Sequence, residues 1–211
     1  MVILDKAITD LSCKDFADKL SAKVPVPGGG GASALVGSLA IALCSMAGNF
    51  TYGKKKYASC EEELRTILEE ANSIRQRLLE LVEEDARMFE PLSEAYSIPK
   101  DDKERTVKLE EATLKALVPP LEMMRQIRRS IELLERMQEI GSVMMISDVG
   151  CGAILAAAAL KSASLNVFIN TKSLKDRDKA FGFEQEADSI LEEYLVRAEK
   201  ISEKVTMRIR Q

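Results

Sequence analysis

The chain has 211 residues, 46% hydrophobic and 30% charged, the size and composition of one globular domain, which excludes a disordered, collagenous or multi-domain protein. It contains no histidine, which removes the commonest general base, the serine triad and the His-containing zinc sites and leaves Asp, Glu, Lys, Tyr and Cys to carry any catalysis. Its 30 basic and 34 acidic residues give a net charge of −4. They are interspersed along helical stretches, the pattern of a solvated surface and not of a nucleic-acid footprint.

In chain order, Met1-Val2-Ile3-Leu4-Asp5-Lys6 is too short an apolar run for a signal peptide. Cys13, Cys44, Cys60 and Cys151 show no C-x-x-C spacing, so buried, reduced thiols in a cytoplasmic protein are expected. Ser12 predicts the cap of a short helix running to about Ala22. Pro25, Pro27 and the run Gly28-Gly29-Gly30-Gly31 then break the chain. Ala32 to Phe50 carries no charge, and its small residues Ser33, Gly37, Ala40, Cys44 and Gly48 let other helices approach closely, which predicts a buried helix. This run also has the length of a membrane span followed by Lys54-Lys55-Lys56, but its Gly, Ala and Ser content and Asn49 suit a protein core better than lipid.

Ser59 with Glu62 predicts a capping box opening a long amphipathic helix to Leu92, bent near Pro91. Pro99 starts a turn, Asp101 is expected to cap a helix to about Val118, and Pro119-Pro120 to interrupt it before Leu121 to Ile140 continues and Gly141 ends it. Ser147-Asp148 is expected to cap a second apolar helix from about Val149 to Asn170, broken only by Lys161. A charged amphipathic helix follows from about Gly182. The best strand candidate, Val143 to Ile146, has nothing to pair with. These elements predict an all-α, single-domain bundle over residues 1–211, with two central apolar helices wrapped by charged ones.

Four features could carry chemistry. Glycines before a helix start expose backbone amides at the positive end of a helix dipole, a place for phosphate or carboxylate; equally, they permit a tight turn. They form no Walker loop, and Gly29-x-Gly31-x-x-Ala34 lacks the βαβ setting of a dinucleotide site. The lysines after Tyr52 are either a solvated helix end or a cationic mouth for an anionic substrate. Asp85 falls on the apolar stripe of Ile67, Ala71, Ile74, Leu78, Val82 and Phe89, where a carboxylate must be paired, neutralised or used. An ion pair with Arg75 or Lys161 is the structural alternative. Ser162, Asn166 and Asn170 draw a polar line down the second apolar helix, suited either to helix packing or to reading a heterocycle's edge.

The segments Pro25-x-Pro27-Gly-Gly-Gly, Thr51-Tyr52-Gly53-Lys54-Lys55, Leu81-Val82-x-x-Asp85-Ala86-x-x-Phe89, Ser147-Asp148-Val149-Gly150 and Asn166-Val167-x-Ile169-Asn170 together resemble the cyclodeaminase/cyclohydrolase family, over nearly the whole chain and in order. The resemblance implies an all-helical homodimer that binds tetrahydrofolate derivatives, polyglutamylated forms included, with no metal and no cofactor beyond that substrate. It implies that Asp85 is the catalytic acid/base and that Pro27, Gly28, Gly29, Gly30, Tyr52, Lys54, Lys55, Asp148, Asn166 and Asn170 contribute to the folate site. Glu83 stands where the bifunctional enzymes are expected to carry Asp, the glycine run is four long, and the 211 residues are taken up by this unit with no formiminotransferase half.

The implied reaction is closure of 5-formiminotetrahydrofolate to 5,10-methenyltetrahydrofolate with loss of ammonia. The alternative is hydrolysis of the methenyl form to 10-formyltetrahydrofolate, and a non-catalytic scaffold or folate-binding module is the alternative of another class. Two helices apolar on all sides exceed what a monomer of this size can cover, which independently predicts a homodimer with one of them near the interface.

Overall fold

A computed structural model describes residues 7–211; the opening hexapeptide lies outside the described residues. Among these residues the fold is all-α, with helices α1 (Cys13–Ser21), α2 (Gly29–Asn49), α3 (Glu61–Tyr96), α4 (Arg105–Ile140), α5 (Ile146–Thr171) and α6 (Arg177–Arg210). The expected strand, Val143 to Ile146, is instead a 3₁₀ turn at Val143–Met145 running directly into α5. That turn supplies the helix start, so Ser147 and Asp148 lie inside the first turn and do not cap it. Ser12 caps α1 as expected, accepting from the Asp15 amide at 3.1 Å.

The Ser59–Glu62 capping box does not form: Ser59 is held in a 3₁₀ segment, Lys55–Cys60, and α3 starts after Cys60 with no side-chain cap. Asp101 does not cap α4 either. Its neighbour Asp102 accepts from the Glu104 amide at 2.8 Å, a local turn that delays the helix to Arg105. Of the four thiols only Cys44 is buried; burial pushes it up to about 12, while Cys13 and Cys151 are exposed and Cys60 is half-buried.

The largest departure concerns the prolines. α3 runs through Pro91 and α4 runs unbroken through Pro119 and Pro120. A proline inside a helix frees the carbonyl four residues earlier. For Pro91 and Pro119 these belong to Arg87 and Lys115, both at exposed positions. For Pro120 it belongs to buried Ala116, and the Asn170 side chain of α5 donates to that carbonyl at 3.2 Å. Asn170 thus replaces a missing backbone bond.

With α4 continuous, the centre of the bundle differs from expectation. α4 packs against α2, α3, α5 and α6, burying Leu117, Leu121, Met124, Ile127, Ile131 and Leu134. α2 and α5 lie antiparallel beside it, with Gly152 of α5 against the Ala40 carbonyl of α2. Neither is wrapped on all sides: Leu39 and Phe50 of α2 and Ile154, Leu165 and Ile169 of α5 are exposed. Gly29–Asn49 and Val143–Thr171 are both long and apolar enough to cross a membrane; here about half of each is buried in the bundle.

Ion pairs link the helix surfaces. Arg129 and Arg136 of α4 bind Glu70 and Glu63 of α3, and Arg197 of α6 binds Glu135 of α4 at 2.6 Å. Each is partly exposed and contributes modestly. The Asn170 bond is less dispensable, because its loss leaves a buried carbonyl without a partner. Asn170→Leu is expected to destabilise the protein by about 1–3 kcal/mol in urea unfolding, with KM for folate substrates unchanged. Asn170→Gln and Asn170→Ser should recover part of the loss in proportion to their reach.

Candidate functional site

The structure starts α2 earlier than the sequence suggests: Gly29, Gly30 and Gly31 are its first turn and Gly28 its cap. The glycines are therefore not a loop. Their first-turn amides have no partner within the helix and point out of its positive end. This end is tied to α5 through Ser33, whose hydroxyl donates to the Gly29 carbonyl at 2.6 Å and accepts from Ser162, 2.7 Å away.

Asp85 of α3 lies directly against this helix start. A Cβ built on Gly30 would fall 2.6 Å from the Asp85 Cγ, so any side chain there would displace the carboxyl group. Val82, one turn earlier, packs against Gly31, and Pro27 closes the same corner. Among the described residues Asp85 has no ion pair: Arg75 donates instead to Asn72 Oδ1 at 2.7 Å, and Lys161 is exposed on α5. Desolvation raises the Asp85 carboxyl to about 6, and the Gly31 amide acts in the opposite direction.

Asn166 faces the same point. Its side-chain amide would be 3.8 Å from a Cβ on Gly29, and it donates once to the Ser162 carbonyl at 2.9 Å. Its Oδ1 and second N–H are left over for another partner. Beside this cluster a cleft of about 520 Å³ opens between the Val24-Pro25-Val26 segment and Ala86, Phe89 and Glu90 of α3. The sequence reading placed Phe89 in the packing stripe. The structure leaves it exposed at the cleft wall, and its position one turn beyond Asp85 was the available signal.

The expected site residues thus divide into two groups. Pro27, Gly28, Gly29, Gly30, Asp85 and Asn166 come together at the start of α2, and Asn170, one turn further along α5, is turned to Ala116. Tyr52, Lys54 and Lys55 follow the other end of α2, about 30 Å away by the rise of a 21-residue helix. They are exposed. Asp148 lies at the same end, in the first turn of antiparallel α5. Within one chain the lysines and the glycine amides therefore cannot meet one charged group, contrary to the sequence reading. Thr51, from the same motif, has a structural role: its buried hydroxyl donates to Ala47 and accepts from the Ser142 amide, fastening α2 to the α4–α5 connection.

A carboxyl group near neutrality, set against backbone amides beside an apolar cleft, is equipped to move protons on a heterocyclic ligand. Comparison with known proteins shows the family. Residues 12–189 match the family model described as Formiminotransferase-cyclodeaminase. The chain belongs to the formiminotransferase-cyclodeaminase family. It is 38% identical to the methenyltetrahydrofolate cyclohydrolase of Methylorubrum extorquens, over 92% of this chain and 95% of that protein. It is 28% identical to the mouse formimidoyltransferase-cyclodeaminase over 82% of this chain, which spans 32% of that longer protein. The crystal structure of a formiminotetrahydrofolate cyclodeaminase from Thermotoga maritima superposes with a TM-score of 0.84 at 30% identity, covering 95% of this chain and all of that one.

The raised Asp85 carboxyl makes a stability prediction. Its ordinary value is 3.8 and its folded value about 6, so the folded state holds the proton more tightly. That contribution is complete below about pH 4 and is lost as pH rises through about 6. Asp85→Asn, which never ionises, should match the wild type in Tm near pH 4 and exceed it at pH 7.5. A variant less stable than the wild type at pH 7.5 but equal to it near pH 4 would show that the charged carboxylate holds the fold together.

Proposed function

We propose that this chain is an enzyme of folate one-carbon metabolism that closes 5-formiminotetrahydrofolate to 5,10-methenyltetrahydrofolate and ammonia, with Asp85 as the acid/base. The observation that carries the reading is the Asp85 carboxyl group, raised toward neutrality against Gly30 and Gly31, with its neighbour Ala86 lining an open cleft. The substrate's formimino group enters protonated. N10 attacks its carbon and Asp85, as carboxylate, takes the N10 proton. The neutral acid then returns that proton to the amino nitrogen of the tetrahedral intermediate. The C–N bond breaks, ammonia leaves, and the N5 lone pair completes the methenyl cation. Each step needs a group that both accepts and donates near neutral pH, and none calls on a metal or further cofactor.

Asn166 and the first-turn amides offer hydrogen bonds to the heterocycle, and Phe89 a face on which it can lie. Tyr52, Lys54 and Lys55, a helix length away, suit the distal glutamates of a polyglutamate tail and not the reacting ring. The exposed apolar stripes of α2 and α5 pair two copies into a homodimer whose contact borders the cleft. The enzyme acts in the cytoplasm.

A second reading is favoured by the 38% identity with a methenyltetrahydrofolate cyclohydrolase. There water adds to the bridge carbon, Asp85 takes its proton and returns it to N5, the carbon–N5 bond breaks, and the hydroxyl proton is lost to solvent to give 10-formyltetrahydrofolate. The two activities separate in one experiment: ammonia release from 5-formiminotetrahydrofolate, set against loss of methenyltetrahydrofolate absorbance when that compound is supplied. Turnover of neither would leave a binding module.

In either reaction, Asp85→Asn is expected to lower kcat by about 10²–10⁴-fold with folate binding retained. The acidic limb of the wild-type kcat profile should have its midpoint near 6 and disappear in the variant. Charge-neutral replacement of Lys54 and Lys55 is expected to raise KM for polyglutamylated substrate and leave the monoglutamate unchanged, with the difference shrinking as salt rises. An equal effect on both substrates would remove the lysines from tail binding.

A further inference from the structure

On the outer edge of α3, Arg75, Leu79, Val82 and Ala86 recur at steps of four, three and four and so form one line along the helix. Val82 meets Gly31 of α2, and Ala86 lines the cleft beside Asp85. At the other end of the line, Arg75 and Asn72 face Ser45, Met46, Asn49 and Phe50 of α2 across a second cleft of about 600 Å³. One recess thus lies between α3 and the Val24-Pro25-Val26 segment, next to the Asp85 turn, and the other between α3 and α2 at Arg75.

Two of the four half-buried arginines, Arg75 and Arg105, have no carboxylate partner among the described residues. Arg77 bridges Glu80 and Glu84, Arg197 bridges Glu135 and Glu193, and Arg105 donates to the Ile98 carbonyl. Among the described residues the Arg75 guanidinium is held only by the neutral Asn72 amide oxygen, at 2.7 Å. A planar cation fixed at the wall of an apolar recess, its charge unmatched, is suited to bind a carboxylate through paired N–H donors.

We infer that Arg75 anchors the carboxylates of the first glutamate of the substrate, an inference that rests on the folate reading above. The lengths agree. Asp85 lies ten residues along α3 from Arg75, about 15 Å by the helical rise. The nitrogen that reacts at Asp85 is about ten bonds from the glutamate side-chain carboxylate, roughly 12 Å when extended. Met46 and Phe50 offer apolar surface to the glutamate's methylene groups, and the Asn49 and Asn72 amides offer further donors. A longer tail then continues past Phe50 toward Tyr52, Lys54 and Lys55. On this assignment Arg75 sets the preference for folate over pteroate, and the lysines act only on added glutamates.

The test compares wild type and Arg75→Ala on two substrates, a formiminotetrahydrofolate monoglutamate and the corresponding tetrahydropteroate, which lacks the glutamate, with the methenyl pair run in parallel. The expected result is a rise in KM of about 10- to 100-fold for the glutamate-bearing compound alone, with kcat retained. NMR titration with p-aminobenzoylglutamate should show binding to the wild type and its loss in the variant. An equal change with both substrates, or a shift of oligomeric state in sedimentation, would overturn the assignment and place Arg75 in packing or a subunit contact. If the wild type turns over its substrates and Arg75→Ala matches it on both, the folate reading stands and the Arg75 anchor falls. If the wild type turns over neither compound of either pair, both fall.

Discussion

The approach of the Asp85 carboxyl group to the glycine start of α2 is the contact from which the rest of the site follows. Three demands meet there. The carboxyl group is taken partly out of water, which raises its proton affinity, while a helix amide nearby favours the charge, and the balance lies at about 6. The backbone must come close enough to deliver that amide, and only a residue without a side chain leaves the room. The helix start must also be held still, which the Ser33–Ser162 bridge to α5 and the Val82 contact from α3 accomplish. Each of these elements alone has an ordinary structural use; their convergence sets a carboxyl group near neutrality against a helix start.

That convergence depends on α4, which lies behind α2, α3 and α5 and sets their spacing. A helix broken at Pro119-Pro120 could not do this, since its two halves would diverge and the buried Ala116 carbonyl would lack a partner. The Asn170 side chain restores continuity by supplying from α5 the bond that Pro120 cannot. A family motif residue is thus bound to the scaffold, while Asn166, one turn before it, keeps hydrogen-bonding capacity for a ligand.

Charge is distributed along the molecule in a way that suits a long anionic ligand with a compact reacting head. The head end offers the Asp85 carboxyl group, neutral amides and a cleft whose apolar walls are edged by Lys19, Arg87, Glu83 and Glu90; further along α3 stands Arg75, and beyond α2 the exposed lysines. Keeping the cations away from Asp85 matters, because a lysine or arginine beside it would stabilise the carboxylate and remove its ability to return a proton. Ammonia loss and water addition ask the same exchange of the carboxyl group, so the fold can remain constant while the nucleophile and leaving group change.

The helical fold, the cap at Ser12, the uncharged α2 and α5 and the isolation of Asp85 on an apolar face were all legible in the sequence, because they follow from local periodicity and from the high cost of leaving a carboxylate in apolar surroundings. The motif order also disclosed the family. Other features depended on contacts between distant segments. Periodicity could not show that α4 survives two prolines, since the compensating donor lies 50 residues further along in Asn170. The capping residues were misplaced because 3₁₀ turns before α3 and α5 took over the helix starts. The motif residues read as one site were divided between opposite ends of α2, because a helix converts about twenty residues of sequence into about 30 Å of distance. Sequence determined which groups are available and which segments are helical; tertiary packing decided which groups meet, because proximity across helices is set by antiparallel alignment and close approach at small residues, neither of which a local pattern encodes.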